Sequence, residues 1–168
     1  SFFGVAILGA GILMGGAWAY EALSFGGFWA WDPVENSSLV PWLVLVAGAH
    51  LLLINRNKPG TAVTATYLMV GLSFLLVVYS TFLTKSGILG DTSVHSFVDS
   101  GILPQLLAFL LGCCVLFTAL TLPPGRERLV FTGLQLALSI GVIAGQPAIC
   151  ILLMLGLMTA AVLRGHLT

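Results

Sequence analysis

Three of the four tryptophans in this chain, Trp18, Trp29 and Trp31, crowd into one short stretch with Tyr20, Phe25 and Phe28. Gly26 and Gly27 sit among them and let backbone approach a flat object closely. Asp32, Pro33, Val34, Glu35 and Asn36 follow at once. An interfacial aromatic belt is one reading, since Trp and Tyr gather at any bilayer surface. A belt has no need of the paired glycines or the two carboxylates. A platform for a large planar ligand accounts for all of them. Asp32 and Glu35 also stand three apart at a helix start, where carboxylates face the positive end of the helix dipole.

Histidine supplies the second kind of chemistry. Neutral imidazole is a ligand for transition metals, and His95 falls in a later polar segment with Lys85 at its start. The alternatives are a solvated loop histidine and a lysine that merely snorkels. His50 lies inside an apolar run, twelve residues beyond Ser38, or ~18 Å along a helix. An ionisable group at that depth is costly and marks a functional site, unless it bonds a neighbouring helix. There is no nucleophile with a base, no separated acid–base pair suited to hydrolysis and no phosphate loop. Catalytic side chains are therefore not expected.

The elements that position these residues are membrane helices. The chain has 168 residues, 58% hydrophobic and 7% charged, against roughly 25% charged in a soluble domain. Its mean hydropathy is +1.08. Six basic and six acidic residues cannot clothe a globule of this size, and a net charge of zero leaves no patch for nucleic acid. Reading apolar runs against breakers gives about six spans, at 2–22, 38–54, 62–83, 102–122, 129–145 and 147–163. The expected fold is an all-α, polytopic transmembrane bundle, a single membrane domain over 1–168. Asn36, Ser37 or Ser38 are candidate caps for the second helix, which places Pro41 in its first turn. Gly11-xxx-Gly15 and Gly141-xxx-Gly145 read as packing patterns, and Cys113, Cys114 and Cys150 as small apolar packing residues. Ser1 is not a natural start, so a processed, split or trimmed polypeptide is expected.

Charge orients the bundle. Arg56, Lys58, Arg126, Arg128 and Arg164 fall on one face of a six-span arrangement and only Lys85 on the other. The basic face, with both termini, is expected in the cytoplasm or matrix. Loops 23–37 and 84–101, carrying the tryptophans and His95, then face the periplasm or intermembrane space.

The run GGFWAWDPVENSSLVPWL, residues 26–43, resembles the tryptophan-rich WWD signature of the CcmF, CcmC and CcsA haem-handling superfamily of cytochrome c biogenesis. The likeness is greatest to the CcmF family of haem lyase subunits. Residues 15–23, GGAWAYEAL, and 81–97, TFLTKSGILGDTSVHSF, resemble family segments in the same order. Phe25 stands where the family usually has the first tryptophan of the signature. The resemblance implies haem held against Trp18, Gly26, Gly27, Trp29, Trp31 and Asp32, with Lys85 near a propionate where the family usually carries arginine. It implies His95 as an axial ligand of the haem being delivered. It also implies His50, eighteen residues after Asp32, as a ligand of a resident b-type haem. Each haem then takes its second ligand from outside this chain; His166 is too near the inner boundary to serve His50. Implied partners are the other maturation subunits or split-chain fragments, apocytochrome c, haem and the lipid of a bacterial cytoplasmic or mitochondrial inner membrane. A structural membrane subunit descended from this family, without haem lyase activity, is the alternative.

Overall fold

A computed structural model describes residues 2–22, 27–93, 95–97, 101–122, 125–144, 153–154, 156–160 and 164. Regular structure among the described residues is helical throughout. The elements are α1 (Phe2–Glu21), α2 (Pro33–Asn57), α3 (Val63–Lys85), α4 (Leu103–Thr121) and α5 (Arg126–Ile143). Helices α1 to α4 are long and apolar enough to cross a membrane. A fifth span was expected from residue 129; α5 begins three residues earlier, on the charged Arg126-Glu127-Arg128. The sixth expected span lies partly outside the described residues, and 156–160 within it are helical.

The start of α2 lies five residues before the expected span and follows the spacing of Asp32 and Glu35 rather than the candidate caps Asn36, Ser37 and Ser38. Its N-cap is Asp32, whose carboxylate accepts from the backbone N–H of Val34 and Glu35, while Glu35 reaches back to the N–H of Asp32. This is a capping box with Pro33 at the first helical position, where a missing N–H costs nothing. Asn36, Ser37 and Ser38 are therefore inside the helix rather than capping it. The hydroxyls of Ser37 and Ser38 donate to the carbonyls of Val34 and Glu35, three residues back. Pro41 is displaced with them, from the first turn to the helix interior. Its ring removes one intrahelical hydrogen bond. Close by, α3 ties on: Ser73 Oγ donates to the Pro41 carbonyl at 3.1 Å, and Ser37 Oγ and Ser80 Oγ share a hydrogen bond at 2.9 Å.

The chain divides into two compact units, Ser1–Leu103 and Pro104–Thr168. In the first, α2 packs against both α1 and α3. Gly48 of α2 meets Val70 and Met69 of α3 at distances where a larger side chain crowds, so the two backbones approach closely, as small residues permit in lipid. The connecting turn is fastened by Asn55, which donates to Thr66 Oγ1 and accepts from the N–H of Ala62. Against α1, the Trp42 indole lies over Gly9 and donates to the Val5 carbonyl at 3.0 Å. In the second unit Leu111, Val142 and Met154 form the core, with Leu107, Cys114 and Leu138 packed around it. Cys113 is buried and Cys114 half-buried, as packing residues should be.

Besides Gly9, it is Gly16, not the expected Gly11 or Gly15, that admits a neighbour to α1. A Cβ there would lie 2.8 Å from the Phe28 ring and 2.9 Å from its backbone oxygen, whereas Gly11 and Gly15 face open space. Gly16→Ala is accordingly expected to destabilise the chain by about 1–3 kcal/mol through overpacking. Alanine regains ~1 kcal/mol in helix propensity, which leaves a net loss of up to about 2 kcal/mol. Thermal unfolding in detergent measures the sign.

Candidate functional site

The second polar segment folds back onto the first. Gly87, at φ +78, turns the chain after α3, Gly90 and Ser93 donate back to Gly87 and Leu89, and Phe97 donates to the Thr84 carbonyl. This brings His95 to the capping box of α2. Its Nδ1 lies 3.3 Å from Asp32 Oδ2 and its Nε2 3.7 Å from Glu35 Oε1. All three side chains are largely shielded, at 16%, 8% and 9% exposure respectively. Ser93 links the two segments, donating to Asp32 Oδ2 at 2.7 Å and accepting from the His95 N–H at 3.1 Å. The Glu35 carboxylate also holds the aromatic stretch, accepting from the Ala30 N–H at 2.8 Å. Capping, expected of Asp32 and Glu35 from their spacing, is thus only part of what these carboxylates touch.

A groove of about 310 Å³ runs beside this cluster. One wall is α1, with Leu8, Gly11, Gly15 and Trp18; across from it stand Trp29, Glu35, Ser80 and His95. From Leu8 to Trp18 the groove follows ~15 Å of helix. The wall is smooth because Gly11 and Gly15 lack side chains. Trp29 is half-buried, whereas Trp18 and Trp31 are exposed at 60% and 73%. Trp31 holds a left-handed backbone, φ +56, rare outside glycine, and Asn36 Nδ2 donates to its carbonyl. Gly27 adopts φ +133, with nothing near its missing Cβ. Gly26 lies outside the described residues.

Two expected site residues stand apart from this cluster. Lys85 Nζ sits 3.3 Å from the centre of the Phe97 ring, a cation–π contact that fixes it at the end of α3. His50 lies on an exposed face of α2, with Nδ1 2.8 Å from the Val46 carbonyl. A carbonyl only accepts, so Nδ1 carries the proton and Nε2 keeps its lone pair. From the true helix start at Pro33 it lies ~26 Å along α2, and ~10 Å from the Asn57 end. The ~18 Å from Ser38 is unchanged, and the earlier helix start adds ~7.5 Å of helix before it.

The cytochrome C assembly protein family matches residues 2–89, just over half of the chain. This chain belongs to that family. A CcmF cytochrome c-type biogenesis protein of Pseudomonas aeruginosa is 43% identical over 133 residues, covering 75% of this chain and 19% of the relative. The CcmF of Escherichia coli is 41% identical over 106 residues, covering 63% and 16%. The NrfE cytochrome c-type biogenesis protein of Haemophilus influenzae is 47% identical over 87 residues, covering 52% and 13%. The chain thus spans under a fifth of the length of these relatives. No solved structure matches it. As a member of the cytochrome C assembly protein family with four apolar helices of membrane-crossing length, the chain is a multi-pass membrane protein.

The residues present suit a haem. His95 borders a groove walled by apolar surface and a tryptophan face, which is what a porphyrin edge and an axial ligand require. His50 offers an outward lone pair with the opposite nitrogen already bonded, the arrangement usual in metal-bound histidines. Sequence reading missed Ser93 and Phe97, because their partners Asp32 and Lys85 lie far away in sequence or carry another obvious explanation. It also missed Glu35 as a groove residue, although its place in Asp-Pro-Val-Glu marks the capping box that puts it there.

Proposed function

We propose that this chain is a haem-handling subunit of cytochrome c biogenesis that holds haem noncovalently beside its aromatic loop for attachment to apocytochrome c. The observation that carries this reading is the convergence of His95, Trp29 and Trp18 on one groove. His95 supplies an axial ligand, and Trp18, Gly27, Trp29 and Trp31 a platform for the ring. Gly26 belongs to the same platform by sequence, and Lys85 stands where a propionate would be met. Haem brings the vinyl groups to which apocytochrome thiols add, the outcome of haem lyase activity. The chain itself binds, orients and keeps water from the ring. His50 holds a resident b-type haem on the outward face of α2. Both haems take their second ligand from outside these residues, supplied by other maturation components. The test is to purify the protein with its native partners and add haem. Trp29→Ala should weaken retention severalfold; retention equal to wild type would remove the aromatic groove from the reading.

The aromatic loop and His95 face the periplasm or intermembrane space. Supporting this, Trp29, His95 and Lys85 gather at one end of α1–α3, while Arg56 and Lys58 close the other end of α2. Single cysteines at Asn57→Cys and Thr92→Cys should react with an impermeant maleimide from opposite sides, Thr92→Cys from outside. Labelling of both from one side contradicts the orientation.

A further inference from the structure

We infer that Asp32 is the positioning residue of His95, fixing which imidazole nitrogen is offered to haem iron; this rests on the reading of His95 as a haem ligand. A metal-bound histidine usually gives its other N–H to a carboxylate or carbonyl, which sets the tautomer and raises the basicity of the ligating nitrogen. Asp32 Oδ2 stands beside that place, 3.3 Å from Nδ1 but off the line of a hydrogen bond. The same oxygen receives the Ser93 hydroxyl, and that hydroxyl receives the His95 backbone N–H. Ring and backbone of His95 are therefore referred to one carboxylate oxygen at the rigid start of α2. A small turn of the ring would bring Nδ1–H onto Oδ2 and leave the lone pair on Nε2. Glu35 Oε1 lies 3.7 Å from Nε2, and Glu35 Oε2 accepts from the Ala30 N–H.

Capping alone does not require the charge. Asparagine and serine cap helices about as well as aspartate, and Glu35 completes the box with the Asp32 backbone rather than its side chain. What only a carboxylate adds at position 32 is an anionic acceptor for imidazole. Cap and orienting group are thereby separable by substitution: Asp32→Asn and Asp32→Ser keep the first and remove the second. Asp91, an exposed acid of the same loop, serves as the control for loss of charge.

The experiment uses the protein assembled with its native partners in nanodiscs, titrated with ferric haem, alongside diethylpyrocarbonate modification of the haem-free assembly read by mass spectrometry. Asp32→Asn and Asp32→Ser should unfold like wild type, bind haem about 10- to 100-fold more weakly, and show His95 modified severalfold faster. Asp91→Asn should change neither quantity. Should both Asp32 variants misfold, Ser93→Ala loosens the same link without touching the cap, and the same two shifts are expected in smaller measure. Haem affinity that depends on His95 but is unmoved by Asp32→Asn, Asp32→Ser and Ser93→Ala overturns the positioning role alone. Affinity unmoved by His95→Ala overturns the ligand reading and the positioning role with it.

Discussion

Replacing His95 with alanine is expected to lower haem retention beside the aromatic loop by at least about 100-fold, leaving the fold in place. The size follows from what is lost. Removing an outer partner of a metal-bound histidine already costs about 10- to 100-fold, and His95→Ala removes the ligand itself. The hydrogen bonds around it do not use the imidazole. Asp32 keeps its bonds from Val34, Glu35 and Ser93, and Glu35 keeps those from Ala30 and Asp32. The Ser93 link to the loop survives too, since it uses the backbone N–H of residue 95. Loss of stability should therefore stay near 1 kcal/mol. Haem titration of the assembled protein, with thermal unfolding of the same sample, measures both. Added imidazole should restore the low-spin spectrum in His95→Ala, filling the space the ring vacates. A variant that unfolds, or that retains haem like wild type, contradicts the assignment.

His50→Ala should do the reverse of what a structural histidine would do. The side chain is exposed on α2 and bonds the carbonyl of its own helix four residues back. It fastens α2 to no other described helix. Alanine is the better helix former by roughly half a kcal/mol, so the haem-free protein should unfold at the same temperature or slightly higher. The b-type absorption of the assembled protein should nevertheless disappear, because one of its two axial ligands is gone. An imidazole kept in an apolar run with no partner on another helix among the described residues is expensive, and a ligand outside the chain gives it a use. Unfolding at lower temperature with unchanged absorption would make His50 a packing residue of the assembly.

Most of the fold was legible because membrane helices are written in hydropathy. Three of the first four helices fall within two residues of the expected spans at either end. The exception, α2, shows where hydropathy stops informing. Residues 33–38 are polar enough to resemble a loop, yet Asp32-Pro33-Val34-Glu35 carries every mark of a helix start. Local hydrogen-bond chemistry, not burial, decides that boundary, and it moves Pro41 inward and lengthens α2 by more than a turn. The site was legible in its members and not in its joints. Trp29, Asp32 and His95 are conspicuous by type, but the Ser93 bond to Asp32 spans sixty-one residues and leaves no local trace. Glycine was misread for a related reason. Gly11-xxx-Gly15 has the spacing of a packing motif, but among the described residues nothing comes within 4 Å of a Cβ placed there, and its bare surface walls the groove. Gly9 and Gly16 make the close contacts, against Trp42 and Phe28, and neither partner is implied by glycine spacing.

The most direct test of the central claim, that this chain handles haem through His50 and His95, is the haem content and spectrum of the protein purified with its native membrane partners. Acid acetone should extract noncovalent b-type haem, and the intact sample should show low-spin absorption that His50→Ala removes. Ferric haem added to the same sample should bind further, and that binding should vanish with His95→Ala. A haem-free assembly that takes up no added haem, with both histidines intact, would contradict the account and leave a structural membrane subunit.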